Sequence, residues 1–133
     1  MAQRVAPQID DESEPFWTAL AEHRILIQRC GSCEHRRFPP LPSCPFCGSP
    51  VRMWTDYEGR PSLYSYVVVR RAFDEQFESE VPYTVATVEL EPGVRTVARV
   101  EGEITIDGLL MPLFVDHDNW TELRFMPVSE ADE

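Results

Sequence analysis

The 133-residue chain contains no lysine. All twelve of its basic residues are arginines, so every fixed positive charge is a planar fork that can grip phosphate or carboxylate with two hydrogen bonds. A bias in base composition is the simpler source of most of them. The N-terminus, Met1-Ala2-Gln3-Arg4, is not followed by the apolar stretch of a secretory signal. No apolar run approaches the roughly 20 residues of a membrane span. The expected compartment is therefore cytoplasmic, where paired cysteines more often hold metal than form disulfides. Histidine is scarce, and His23, His35 and His117 fall in different segments. There is no G-x-S-x-G elbow and no glycine-rich phosphate loop. These absences leave no nucleophile–base set to nominate, so no catalytic residue is expected. His117, between Asp116 and Asp118, reads as a solvated polar turn.

The four cysteines form two short pairs. Cys30 and Cys33 bracket Gly31-Ser32, Cys44 and Cys47 bracket Pro45-Phe46, and ten residues separate the pairs. Two C-x2-C turns can each present two thiolates to one side, which is what a tetrahedral ion needs. Gly48 follows the second pair, where a metal knuckle wants a permissive backbone angle. The pattern predicts a closed four-cysteine site with no open position, hence a structural one. Zinc is the expected ion and iron the rival, since both suit four sulfurs. Disulfides would need an oxidising compartment, and with four cysteines present His35 reads as a surface residue rather than as a replacement for one of the thiolates. A ribbon of this size has almost no core of its own, and structural zinc can supply on the order of 10 kcal/mol of folding free energy to such a module.

The net charge of −11 is uneven. Residues 1–21 carry one arginine against four acids, residues 22–61 six against four, and residues 62–133 five against fifteen. The cysteine segment is thus mildly basic and the remainder strongly acidic. The hydrophobic fraction of 43% suits a folded chain.

Three structured parts and a tail are expected. Residues 1–22 hold a tail and a short amphipathic helix: Asp11 or Ser13 can cap it, Pro15 is tolerated in its first turn, and Phe16, Trp17 and Leu20 make an apolar stripe. Residues 23–60 hold the ribbon, with strands at 24–29 and 53–55 and an extended 36–40. Residues 61–128 read as all β, with strands at 63–69, 83–90, 94–100, 113–115 and 123–125 and a short further element at 103–106. Residues 71–82 are a long acidic loop. Short strands at regular spacing predict a small closed barrel or sandwich. Residues 129–133 are an acidic tail.

Several of these features occur in a characteristic order. Phe16-Trp17 opens the helix; Leu26-Ile27-Gln28-Arg29-Cys30, Cys33, Arg37-Phe38-Pro39-Pro40 and Cys44-Pro45-Phe46-Cys47-Gly48 follow. Then come Gly59, Leu63-Tyr64-Ser65-Tyr66, Pro82-Tyr83 and the turn Glu91-Pro92-Gly93. Over roughly residues 13–127 the chain resembles the acyl-CoA-associated zinc-ribbon/OB-fold family, first catalogued as domain of unknown function 35. The resemblance implies a mainly β fold: an N-terminal helix, a rubredoxin-like zinc ribbon and a C-terminal OB-fold barrel. It implies a small non-catalytic subunit in a hetero-oligomer with a thiolase-superfamily enzyme, such as a lipid-transfer-type thiolase, a steroid side-chain aldolase or an acyltransferase. Some members associate instead with hot-dog-fold enoyl-CoA hydratases. The implied role is to complete the partner's acyl-CoA channel or to hold two enzymes together.

Against that implied role, Arg36, Arg37 and Phe38 are the candidate acyl-CoA contacts: guanidinium can meet the phosphates and an aromatic face the adenine. Phe16, Trp17, Phe46 and Trp54 are candidate partner anchors, because aromatic residues are enriched in interface cores. Each has a bland reading as ribbon or domain packing. Nucleic-acid binding is the competing class, since zinc ribbons and OB folds both serve it. The acidic barrel opposes it, because backbone binding relies on cationic side chains.

Overall fold

The computed structural model describes residues 6–72 and 74–128. The acidic tail expected from residue 129 lies outside the described residues. Helix α1 spans Glu14–Ala21, with Pro15 in its first turn and the acid Glu14 at its positive end. Ser13 is the N-cap residue, but its side chain makes no bond into the helix. Asp10 and Ser13 instead close on each other: Asp10 Oδ1 accepts from the Ser13 amide at 2.8 Å, and Ser13 Oγ accepts from the Asp10 amide. The helix buries Phe16, Ala19 and Leu20. It ends where His23 adopts a positive φ of 58°. The Arg24 amide still donates to the Ala19 carbonyl, so the next strand starts at Leu26 rather than Arg24.

Strands β1 (Leu26–Cys30), β2 (Arg36–Arg37) and β3 (Arg52–Asp56) form an antiparallel sheet in the order β2-β1-β3. Two loops leave this sheet and carry the cysteines. The barrel consists of β4 (Ser62–Val69), β5 (Tyr83–Glu91), β6 (Val94–Val100), β7 (Leu110–Asp116) and β8 (Thr121–Pro127). Their order is β4-β5-β6-β8-β7, with β6 and β8 parallel and the other neighbours antiparallel. A Ser62–Leu109 bridge, with Leu63 bonded to Asp107 and Gly108, joins the first strand to the last and closes the sheet at that end.

Two expectations need correction. Residues 103–106 form no regular element: Asp107 has a positive φ of 66° and the Gly108 amide bonds back to Thr105, so the segment turns into the closing seam. The last two strands are longer than 113–115 and 123–125. Pro112 sits inside β7 without disrupting it, because β7 is terminal in the strand order and proline is tolerated at an edge. The 71–82 loop contains a 3-10 turn, Glu75–Phe77, capped by the Asp74 carboxylate.

One core serves both halves. Phe125, Leu63, Val88 and Leu90 fill the barrel; Phe16, Leu20, Ile25, Ile27 and Tyr57 from the helix and ribbon join the same cluster. On β5 the buried face is Ala86, Val88 and Leu90, and Val85, Thr87 and Glu89 take the opposite one. Full burial of a side chain such as Leu20 or Ile27 contributes about 1.5–3 kcal/mol. Polar ties reinforce the junction. Tyr57 donates its hydroxyl to the Leu90 carbonyl, and Arg36 pairs with Glu91 at 3.0 Å. The ribbon is therefore seated on the barrel.

Candidate functional site

The two knuckles bring all four cysteine sulfurs within 4.8 Å of one another. Cys30 and Cys47 stand 3.6 Å apart, Cys33 and Cys44 3.5 Å. A tetrahedron of thiolates about 2.3 Å from a central zinc has edges near 3.8 Å, so the donor set fits such an ion. Local backbone geometry makes the approach possible. Gly48, at φ 77°, turns its amide onto the Cys44 carbonyl. A Cβ on Gly31 would lie 2.4 Å from a Val51 methyl, so only glycine lets the first knuckle meet β3's entry.

The sulfurs are also prepared electrostatically. The amides of Cys33 and Ser32 point at Cys30 Sγ and lower its thiol to about 6. Burial works against ionisation of Cys44, but the amides of Cys47 and Phe46 outweigh it and lower that thiol too. At Cys33 the His35 amide favours the thiolate, yet burial and the adjoining sulfurs push it up to about 12. Four sulfurs this close resist ionising together unless a cation sits among them, and a divalent ion supplies that charge. All four positions of a tetrahedral ion are taken by protein, which makes the centre structural rather than catalytic. His35 is exposed, as expected, but not idle: its Nδ1 lies 3.3 Å from Cys33 Sγ, and its ring stacks on Phe46 at 4.2 Å.

The candidate contact residues separate on inspection. Arg37 is 5% exposed and points inward, its Nε donating to Gln28 Oε1 at 2.6 Å and an Nη to the Leu41 carbonyl. That corrects its nomination as an acyl-CoA contact; it holds the 38–41 segment. Arg36 faces the other way but is paired with Glu91. Phe38 is half-buried against Phe16, ring centroids 5.0 Å apart. Phe16 is 7% exposed and belongs to the shared core, so it is not an exposed anchor. Trp17 and Trp54 are half-buried, and Phe46 is 68% exposed.

Trp17 and Phe38 border a hollow of about 420 Å³ between the helix and the barrel, with Val97, Ala98, Trp120 and Leu123 opposite. Trp120 meets Trp17 edge-on at 6.0 Å and stacks on His117 at 4.5 Å. Sequence reasoning passed over Trp120, whose only signal was an aromatic in a polar loop. The same loop corrects the reading of His117. Its Nε2 bonds Glu122 at 2.8 Å and its side chain is 20% exposed, so it is not a solvated turn residue. Next to it, Asp116 accepts from Thr121 at 2.7 Å and pairs with His23 at 3.0 Å, and these partners lower its carboxyl.

Comparison with known proteins places this geometry. Residues 17–52 match the family described as "ChsH2, rubredoxin-like zinc ribbon domain", and residues 54–107 match "ChsH2, C-terminal OB-fold domain". A solved structure titled "Ltp2-ChsH2(DUF35) aldolase" superposes with a TM-score of 0.81 at 33% identity, over 92% of this chain and 98% of that one. The chain belongs to the ChsH2/DUF35 family. It is 38% identical over 101 residues to a "Probable enoyl-CoA hydratase alpha subunit" of Thermomonospora curvata, covering 76% of this chain and 31% of that protein. It is 36% identical over 94 residues to a "DUF35 domain-containing scaffold protein" of Methanocaldococcus jannaschii, covering 66% of this chain and 60% of the relative. The chain thus spans about a third of the first relative's length and three fifths of the second's. Family membership bears out the expected helix, zinc ribbon and OB-fold barrel. Among the described residues no helix is long and apolar enough to cross a membrane.

Proposed function

We propose that the chain is a non-catalytic accessory subunit that docks on a thiolase-superfamily enzyme in the cytoplasm and helps form its acyl-CoA site. The observation that carries this reading is the near full-length likeness to the chain titled as part of an Ltp2-ChsH2 aldolase. The polar chemistry agrees with it. His23, His117, Asp116 and Glu122 are paired off in ties between neighbouring segments, and the cysteines are committed to a closed centre. Zinc in that centre fixes the two knuckles, so that Phe46 and the 38–41 segment present a preformed surface. Trp17, Phe46 and Trp54 anchor the enzyme partner. Phe38 and Arg36 approach the acyl-CoA, Arg36 exchanging Glu91 for phosphate when it does. A hydratase partner of hot-dog fold is the second reading, favoured by the 38% identity to a relative named as a hydratase α subunit.

The test is co-expression of the tagged chain with each candidate enzyme, followed by light scattering and metal analysis of the purified species. A fixed-stoichiometry complex with a thiolase-like protein, carrying one zinc per chain, is expected. A fixed complex with a hydratase alone would select the second reading. A zinc-bearing monomer that binds neither would overturn both.

A further inference from the structure

β4 is the least protected strand of the barrel. Beyond the closing seam, where Ser62 and Leu63 meet Asp107 to Leu109, it pairs among the described residues only with β5. Its sequence, Ser62-Leu63-Tyr64-Ser65-Tyr66-Val67-Val68-Val69, has no charge, glycine or proline in a chain that is 26% charged. Tyr64, Tyr66, Val67 and Val68 are all exposed, Val67 to 61%. The other terminal strand, β7, carries Pro112, a usual guard against edge pairing.

The hydrogen-bonding direction follows from the register. Leu63 bonds across the closing seam to Asp107 and Gly108, so its backbone groups face away from β5. Leu63 is opposite Val88, and antiparallel backbone groups alternate sides, so Thr87 faces β4 and Ala86 faces β6. Tyr66 lies opposite Ala86 and Val68 opposite Thr84, so both turn their N–H and C=O outward. The row ends at Arg70-Arg71, which form no ion pair among the described residues, although most other arginines in this acidic chain do.

We propose that β4 receives an extended segment of the enzyme partner as an added antiparallel strand. That segment has alternating β-branched residues and an acidic pair at its N-terminal end to meet Arg70-Arg71. A second copy of this chain fits less well: β4 contains no carboxylate, and each copy brings a net charge of −11. The inference deepens the accessory-subunit reading by naming how the partner is gripped.

The test uses the full zinc-loaded chain with the peptide acetyl-Glu-Asp-Thr-Val-Thr-Val-Thr-amide at millimolar concentration, read by amide hydrogen exchange. Slowed exchange at Tyr66 and Val68 is expected. It should weaken roughly fivefold in the exposed double variant Arg70→Glu/Arg71→Glu, as loss of two surface ion pairs implies. A peptide with Arg-Arg in place of Glu-Asp should give none. No slowing at those two amides, or equal slowing with both peptides, overturns the proposal. So does an isolated chain that is already dimeric with both amides protected. An enzyme complex that forms while these amides stay unprotected would sink the strand proposal and leave the accessory reading standing.

Discussion

Removing one oxygen atom at the ribbon–barrel junction should have two separable effects. Tyr57 is 8% exposed, and its hydroxyl donates to the carbonyl of Leu90, itself 2% exposed. In Tyr57→Phe the ring still fills the core, but a buried carbonyl loses its donor. Leaving such a group unsatisfied costs about 1–3 kcal/mol, and a loss near 1.5 kcal/mol lowers Tm by roughly 5 °C in a domain of this size. The second effect appears only in alkali. Burial, reinforced by the Glu91 carboxylate, raises the phenol from 10.0 to about 12. A group whose folded value is raised contributes its stability fully below the unfolded value and loses it as pH climbs toward the folded one. The wild-type chain should therefore lose stability between pH 10 and about 12 through this residue, and the phenylalanine variant should be flatter there. Urea unfolding at neutral pH and across that alkaline range measures both. A variant with unchanged neutral stability and an unchanged alkaline slope would refute the hydrogen bond as a junction tie.

Cys44→Ser should cost metal and solubility before it touches partner chemistry, because a structural zinc-type ion held by four thiolates can supply on the order of 10 kcal/mol and a domain's whole stability is of that order. A variant that stays folded, metal-free by elemental analysis and fully competent in its complex would refute the structural role. At Asp116 the Thr121 and His23 partners depress the carboxyl below its ordinary 3.8. Its contribution is therefore present above that value and lost as pH falls below it. Asp116→Asn should lower the melting temperature near neutrality and reduce the further loss seen on acidification; a parallel displacement at every pH would refute the linkage.

The metal centre was legible because cysteine spacing is local: each knuckle is a turn, and the thiolates need only fold back on one another. Most strands were legible for the same reason, each reading as a run of aromatic and β-branched residues. What failed depended on the other end of a long loop. β2 is two residues long, too short for alternation to show, so nothing in Arg36-Arg37 indicates that one side chain goes outward and the other inward onto Gln28. Phe16 could be an anchor or a core residue until Phe38 and the barrel close over it. The His23–Asp116 pair joins positions 93 residues apart. Gly59 was visible as part of a pattern, but its reason is spatial: a Cβ there would sit 2.7 Å from the Tyr57 ring.

The electrostatics weigh against the nucleic-acid class of partner. Six arginines in residues 22–61 look, in sequence, like a basic patch on an acidic body. In the structure that patch is largely spent internally. Arg29 pairs with Glu34 at 2.6 Å, Arg36 with Glu91 and Arg52 with Glu12, while Arg37 is buried on Gln28 and Arg24 reaches Asp56 at 3.9 Å. Each guanidinium that neutralises a carboxylate within the chain is unavailable to release counterions from a phosphate backbone. Of the six, Arg60 alone has no ion pair or hydrogen bond among the described residues. Exposed aromatic and β-branched side chains remain, Phe46 on the ribbon and Tyr66 to Val68 on β4, beside Arg70-Arg71, which form no ion pair among the described residues. An apolar patch ending in a compact positive charge suits a protein surface that brings its own carboxylates, and a polyanion would meet the full repulsion of the barrel behind it.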